Sequence, residues 1–150
     1  MKLEQDRVVV LETNIDDMPS LVFEQVEDVL FKNGALDVWI EHIQMKKNRP
    51  AFKLSCIVTP EMAEKIAALI LEETTSSGVR YTEIERYKLP RKDEVKQTSL
   101  GKVKVKIFEL PSWKQRVVPE YEDVKKISDS SGSPFLEVYQ KIIREWILPQ

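Results

Sequence analysis

The sequence predicts an α+β protein whose first part is a ferredoxin-like domain, and three observations support this prediction. Residues 7–89 show strand-like and helix-like patterns in the order β-α-β-β-α-β, which is the ferredoxin-like arrangement of an antiparallel sheet with two helices. A polar stretch around Pro90 then marks a boundary. Residues 93–148 carry a second pattern, a β-hairpin followed by a helical hairpin, which predicts a small separate lobe.

The first half of the ferredoxin-like domain is predicted from one apolar run and two alternating segments. Residues 8–11 are consecutive valines and a leucine, which is typical of a buried strand. Pro19 suits the first turn of a helix, and Asn33-Gly34 suits its end. Residues 36–40 and 52–58 then alternate apolar and polar side chains, so these two strands are expected to pair as a hairpin.

The second half of this domain is predicted to add one helix and one strand. Thr59-Pro60-Glu61 places a hydroxyl, a proline and an acid where a helix begins, and Gly78 follows its end. Residues 79–87 are rich in Tyr, Thr, Ile and Val, a composition that favours a strand. The domain is therefore expected to be a four-stranded sheet with both helices on one face.

The predicted lobe begins with residues 95–98 and 103–107, two short strands around a turn with Gly101. Pro119 is expected to open a short helix, and a second helix follows Pro134. This last helix carries a broad apolar stripe, too wide to remain in water, formed by Phe135, Val138, Tyr139, Ile142, Ile143 and Trp146. We expect the stripe to pack on the second hairpin or on a neighbouring subunit.

Composition excludes several classes of protein. The 23 Lys+Arg against 25 Asp+Glu give no global reason to bind nucleic acid. No apolar run approaches the ~20 residues of a membrane span, and the amino terminus has no apolar signal core, so a cytoplasmic location is expected. One cysteine and one histidine leave almost no candidates for Cys-His or Ser-His catalysis. Any chemistry should then depend on carboxylates, cations and a bound metal.

Two polar clusters could carry such chemistry. Asp16 and Asp17, with Asn14, offer hard oxygen ligands that suit Mg²⁺ or Mn²⁺, although acids at this position could simply cap a helix. The segment Lys46–Arg49 places three cations and an amide at a hairpin turn, which suits a polyphosphate, but a solvated turn is the alternative. The hydroxyl-rich segment 74–77 is a weaker phosphate signal.

Five short strings follow one another along the chain: Glu12–Met18, Gly34–Val38, Gln44–Pro50, Glu73–Thr75 and Val118–Asp123. Together they resemble the carboxy-terminal domain of the LarC family, nickel insertion proteins for the nickel-pincer cofactor of lactate racemase. The similarity runs from about Arg7 to Tyr139. The strings Thr-Asn-Ile-Asp-Asp and Met-Lys-Lys-Asn-Arg-Pro are specific enough to make a chance match improbable.

The resemblance implies CTP-dependent insertion of nickel into pyridinium-3,5-bisthiocarboxylic acid mononucleotide, by an insertase of the lyase or chelatase type. It implies that the carboxy-terminal part holds CTP with Mn²⁺ or Mg²⁺. Nickel is then the inserted metal and is not expected to bind this chain alone. The implied partners are the mononucleotide, an amino-terminal LarC-type domain or subunit and further copies of the chain, with no nucleic acid or membrane.

Carried onto this sequence, the resemblance implies a nucleotide and phosphate site and a metal site but no catalytic residue. The nucleotide site comprises Lys46, Lys47, Asn48, Arg49, Thr74, Thr75, Arg80 and Tyr121, and the metal site comprises Asp16 and Asp17. Val118 and Val124 stand where a lysine and a cysteine are expected, which removes a phosphate contact and a soft nickel ligand. The alternative function is a non-enzymatic ferredoxin-like module for small-molecule sensing or oligomerisation.

Overall fold

The computed structural model describes residues 3–147, which form two compact units. The first unit is residues 5–86, and the second is residues 87–147 together with Leu3 and Glu4. The strands are β1 (Glu4–Ile15), β2 (Asp37–Met45), β3 (Arg49–Val58), β4 (Arg80–Lys88), β5 (Arg91–Thr98), β6 (Gly101–Glu109) and β7 (Gln115–Pro119). The helices are α1 (Val22–Lys32), α2 (Ala63–Glu73), α3 (Tyr121–Ser131) and α4 (Phe135–Ile147). Residue 148, the predicted end of the lobe, lies outside the described residues.

The sheet of the first unit has the strand order β2-β3-β1-β4, in which β3 runs antiparallel to both of its neighbours. This is the ferredoxin-like order, so the predicted fold class is confirmed. The apolar sides of α1 and α2 pack against one face of the sheet, where Leu30 and Ile66 are fully buried against Leu11 and Leu54. Each such side chain contributes roughly 1.5–3 kcal/mol of hydrophobic stabilisation.

Strand β1 is longer than the apolar run from which it was predicted. Leu11, Thr13 and Ile15 alternate into the core, while Glu12 and Asn14 lie on the opposite face of the sheet. The sequence after residue 11 resembles a loop because its outward residues are polar, yet those residues have partners on neighbouring strands. The strand therefore continues to Ile15, which places the two aspartates directly after its end.

Helix α1 begins at Val22 rather than at Pro19. Residues 19–21 form a turn in which the Val22 amide donates to the Pro19 carbonyl at 3.1 Å. No side chain caps this helix, so the alternative in which Asp16 and Asp17 cap it is wrong. As predicted, Asn33 and Gly34 follow the last residue of the helix, Lys32, and Gly34 supplies the left-handed backbone with φ of 105°.

The second unit contains a three-stranded sheet of order β5-β6-β7, not a hairpin alone. Strand β7 was not predicted because its sequence ends in a proline followed by acids, which is typical of a helix start. The structure instead pairs Pro119 with Val105 at the end of an edge strand, where the missing amide hydrogen costs little. Helix α3 begins two residues later, at Tyr121.

Helix α4 packs its apolar stripe against the sheet of its own unit. Val138 and Ile142 are buried with Val105 and Ile107, and Trp146 is partly buried beside them. The first of the two predicted packing arrangements is therefore confirmed. The stripe gives no separate support for an oligomerisation module, because much of it is already covered. Within residues 3–147, no helix has the length and apolar character needed to cross a membrane.

Candidate functional site

A polar, open cavity of about 520 Å³ lies in the first unit. Three segments form it: the end of β1 with the loop that follows, the turn between β2 and β3, and the loop between α2 and β4. Of the residues that the resemblance assigns to the site, those that line the cavity are Asp16, Asp17, Lys46, Arg49, Thr75 and Arg80. Carboxylates and cations that are distant along the chain thus share one cavity.

The pairing of β1, β3 and β2 brings the first two segments together. Because Ile15 pairs with Phe52, and Met45 with Arg49, the end of β1 lies near the β2–β3 turn. Arg49 Nη1 donates to Asp16 Oδ2 at 3.1 Å. The Asp16 side chain is only 18% exposed, so this ion pair is less screened by solvent than a pair on the open surface.

The loop after α2 is attached to β1 through hydroxyl groups. The Thr13 hydroxyl, in a residue 2% exposed, donates to the Gly78 carbonyl at 2.9 Å and also contacts the Ser76 hydroxyl. Thr75 donates to Asp17 Oδ1 at 2.5 Å. Both aspartates therefore have a protein partner before any ligand binds.

Arg80, at the start of β4, is held by two residues of β1. Its Nε donates to Glu12 Oε2 at 3.2 Å, and its Nη2 donates to Asn14 Oδ1 at 3.0 Å. Burial raises the pKa of Glu12, but the hydrogen bonds and charges of Lys53 and Arg80 outweigh burial and lower this pKa overall. Glu12 is therefore ionised at neutral pH.

Three predicted residues of the first unit do not line the cavity. Lys47 and Asn48 form the tip of the β2–β3 turn with φ of 61° and 56°, and Asn48 Oδ1 accepts a hydrogen bond from Gln44 at 3.1 Å. Thr74 donates to the Ile70 carbonyl at 2.6 Å, a contact that satisfies the end of α2. Tyr121 belongs to the second unit, where its ring lies 5.2 Å from that of Phe135.

Thr13 and Ser76 had only weak signals in the sequence. Thr13 could have been recognised as an inward-facing residue only if the strand predicted from residues 8–11 had been continued beyond residue 11. Glu12 had no site signal of its own, because its partners Lys53 and Arg80 are remote in sequence. Cys56 lies outside the site: it is fully buried, and burial raises the pKa of its thiol to about 11.

The cavity combines two kinds of group with different ligand chemistry. Lys46, Arg49 and Arg80 are cations that can bind phosphate oxygens, and Arg does so with planar, directional donors. Asp16 and Asp17 offer the oxygen ligands that a hard divalent cation prefers. Residues 3–147 contain no cluster of three or more His, Cys, Asp or Glu side chains arranged to hold a metal. The donor set fits a cation that shares its ligands with phosphate.

Comparison with known proteins identifies the family. The sequence model of a family described as nickel insertion protein matches residues 1–139. The chain belongs to the nickel insertion protein family. This confirms the resemblance described from the sequence.

Members of this family from several bacteria are similar over most of the chain. A protein of Geotalea daltonii, provisionally named a nickel insertion protein, is 43% identical over 143 residues, 95% of this chain and 37% of the relative. The pyridinium-3,5-bisthiocarboxylic acid mononucleotide nickel insertion protein of Thermotoga petrophila is 37% identical over 142 residues, 95% of this chain and 36% of the relative. The chain thus spans little more than a third of the length of these curated relatives.

Two solved structures share the fold. One is described as apo LarC2, the C-terminal domain of a cyclometallase involved in synthesis of the NPN cofactor of lactate racemase. It has a TM-score of 0.88 and 33% identity, and the match covers 97% of this chain and all of that one. A protein of Methanopyrus kandleri has a TM-score of 0.67 and 26% identity over 93% of this chain and 88% of its own.

Proposed function

We propose that this chain is the CTP- and divalent-cation-binding part of a nickel insertase that acts on pyridinium-3,5-bisthiocarboxylic acid mononucleotide. The observation that supports the proposal is the cavity in which Asp16 and Asp17 meet Lys46, Arg49 and Arg80. Membership of the nickel insertion family supplies the reaction class. The names of the Thermotoga relative and of the LarC2 domain supply the substrate and the cofactor pathway.

In this proposal the three cations bind the phosphates, and the two aspartates hold Mn²⁺ or Mg²⁺. Such ions are commonly bound through one or two carboxylates together with substrate phosphates, so the protein need not supply a complete set of ligands. Bound CTP would supply phosphoanhydride bonds whose cleavage can drive another reaction. Nickel is the substrate metal and has no assigned ligand in this cavity.

The ion pair within the cavity predicts that cation and nucleotide bind better together than separately. Arg49 neutralises Asp16 in the free protein, at a distance of 3.1 Å. A divalent cation that takes Asp16 releases Arg49 for a phosphate oxygen. Either ligand alone must break the contact between Asp16 and Arg49 and gains an interaction with only one of these two side chains. We therefore expect positive coupling between the cation and the nucleotide.

Isothermal titration calorimetry tests the proposal directly. We expect CTP to bind in the presence of Mn²⁺, and Lys46→Ala and Asp16→Ala each to weaken this binding about tenfold or more. Lys65→Ala is the matched control, because it removes an exposed lysine of α2 that does not line the cavity. Absence of detectable binding to the parent protein would refute the proposal. Parent-like affinity in both cavity variants would refute the assigned roles.

We further propose that nickel insertion requires sequence that the longer relatives have in addition to this part. The chain matches only 35–37% of the first relatives by length, so the activity of the whole protein need not reside in it. The test measures nickel transfer to the mononucleotide by this chain alone and by a full-length relative under the same conditions. Equal activity of the two would contradict the proposal.

A further inference from the structure

A row of alternating charges crosses the sheet of the first unit and ends at the candidate site. Each of the four strands contributes one residue: Glu41 from β2, Lys53 from β3, Glu12 from β1 and Arg80 from β4. Register places Glu41 opposite Lys53, on the same face of the sheet as Glu12. We call this set the charge row. Only its last member, Arg80, lines the cavity.

The inner members of the charge row are tightly connected. Lys53 Nζ lies 2.7 Å from Glu41 Oε2 and 3.2 Å from Glu12 Oε1, and Arg80 Nε lies 3.2 Å from Glu12 Oε2. The Lys53 and Glu12 side chains are 22% and 28% exposed, well below the 52% of Arg80. Solvent therefore screens the inner contacts less than it screens an ordinary surface pair.

The contacts of Arg80 fix the orientation of its guanidinium group. Glu12 accepts from Nε, and Asn14 accepts from Nη2. Within residues 3–147, no side chain or backbone group accepts a hydrogen bond from Nη1, which is left for a ligand. A planar group held at two of its nitrogens has little freedom to rotate, so its remaining donors are preoriented.

A carboxylate beside a phosphate site would normally repel the ligand. Glu12 avoids this because its charge is shared between Lys53 and Arg80, so the four members of the charge row carry no net charge. The carboxylate is ionised at neutral pH, because these two cations lower its pKa against the effect of burial. Glu12 can therefore hold Arg80 without adding a net negative charge next to the cavity.

We propose that Glu12 is a positioning residue, which orients Arg80 for a phosphate oxygen of the ligand although Glu12 itself does not line the cavity. This inference rests on the phosphate role proposed above for Arg80. It adds a residue outside the predicted site and explains why a strand residue in one of the family strings is charged.

Glu12→Gln tests the positioning role, with Glu41→Gln as the matched control. Both substitutions remove one carboxylate from Lys53, but only the first removes the partner of Arg80. We expect Glu12→Gln to raise the Kd for CTP with Mn²⁺, and for inorganic tripolyphosphate, about fivefold to tenfold. Glu41→Gln should change these constants by less than about twofold.

Two further measurements separate positioning from general stability. The ¹H–¹⁵N NMR signal of the Arg80 Nε–H group, assigned through its loss in Arg80→Lys, should shift in ligand-free Glu12→Gln and stay in place in Glu41→Gln. In an Arg80→Ala background, Glu12→Gln should cause no further loss of binding, because the group that it positions is absent. If Glu12→Gln does not fold, Glu12→Asp, which keeps the charge but shortens the side chain, replaces it in these measurements.

The outcomes distinguish failure of this inference from failure of the proposed function. If the parent protein binds neither CTP nor tripolyphosphate, the proposed function is refuted and this role with it. If the parent binds and Glu12→Gln binds equally well, or Glu12→Asp does so with a shifted Arg80 Nε–H signal, only the positioning role is refuted. Equal losses in the Glu12 and Glu41 variants, or an additional loss in the Arg80→Ala background, would also refute it.

Discussion

Both units carry acidic residues just before a helix, and the structure uses them differently. In the first unit, Asp16 and Asp17 precede α1, do not cap it, and face a cavity that contains cations. In the second unit, Glu120 precedes α3 and pairs with Lys106 at 2.9 Å. Asp123, in the first turn of α3, accepts the backbone amide of Lys104 at 2.8 Å. One set of acids lies in a cavity that can take a ligand, whereas the other attaches a helix to a strand.

This contrast shows that an acid before a helix does not by itself indicate a site. The surroundings decide. Asp123 is bound to a backbone amide and Glu120 to one lysine, whereas Asp16 and Asp17 line a cavity together with three cations. Substitution of equivalent residues in the two units tests this contrast.

The largest effect is expected from one aspartate near a helix in each unit, Asp16 in the first and Asp123 in the second. Asp16→Asn should weaken Mn²⁺-dependent CTP binding by about 10- to 100-fold, because a carboxylate contact to a charged partner is typically worth about 1.5–3 kcal/mol. Asp123→Asn should leave binding within about twofold but lower the melting temperature, since it weakens the acceptor of the Lys104 amide. Calorimetry and thermal unfolding measure the two quantities. Similar losses of binding in both variants would contradict the contrast.

A smaller effect is expected from one lysine in each unit. Lys46→Ala removes a cation that lines the cavity and should weaken CTP binding about tenfold. Lys106→Ala removes the partner of Glu120, whose side chain is 38% exposed, and should change neither binding nor stability by much. Titration of both variants under identical salt conditions checks this. A larger loss in Lys106→Ala would place the ligand in the second unit.

Each unit also has a residue other than glycine with left-handed backbone in a hairpin turn, Lys47 with φ of 61° and Trp113 with φ of 62°. Substitution by glycine should stabilise either turn by about 0.5–1 kcal/mol. The left-handed conformation costs an L-residue about 1–2 kcal/mol, and glycine avoids this cost. Part of the gain is offset because glycine loses more conformational entropy on folding than other residues. Lys47→Gly should in addition weaken CTP binding about twofold to threefold, whereas Trp113→Gly should not. Denaturant unfolding and calorimetry measure these effects, and a destabilised Lys47→Gly would contradict the argument.

The smallest effect concerns acid pH. The pKa of Glu12 is lowered by Lys53 and Arg80 despite burial, and in the second unit hydrogen bonds from Ser99 lower the pKa of Glu145. A lowered pKa in the folded state gives stability that is present above the usual value of 4.5 and is lost as pH falls below it. Unfolding between pH 6 and pH 3 should therefore show a shallower loss of stability in Glu12→Gln and in Glu145→Gln than in the parent. A slope unchanged in both would refute these assignments.

Sequence patterns predicted the ferredoxin-like order because its core residues alternate with the period of each element. The same reasoning missed the last four residues of β1, since Glu12 and Asn14 are stabilised by partners that only the sheet brings near. It missed β7 because Pro119 favours a helix start and an edge strand equally well. Period-based prediction is thus limited where polar residues have long-range partners.

The candidate site was predicted in part for a related reason. Asp16 and Arg49 were identified separately by residue type and by family strings, and the sheet register then joins them. Lys47, Asn48 and Thr74 share those strings but do not line the cavity. Contiguity in sequence does not distinguish a side chain that reaches a cavity from its neighbour at a turn tip or a helix end.

The single cysteine of the chain is fully buried in the core, and the pKa of its thiol is about 11. At neutral pH the native protein should therefore react very slowly with maleimides. A cysteine introduced at the turn tip by Lys47→Cys would then be the one fast-reacting thiol, open to a fluorophore or a spin label without removal of Cys56. The molecule already suits site-directed spectroscopy, and ligand-dependent movement of that turn can be recorded in an otherwise unaltered protein.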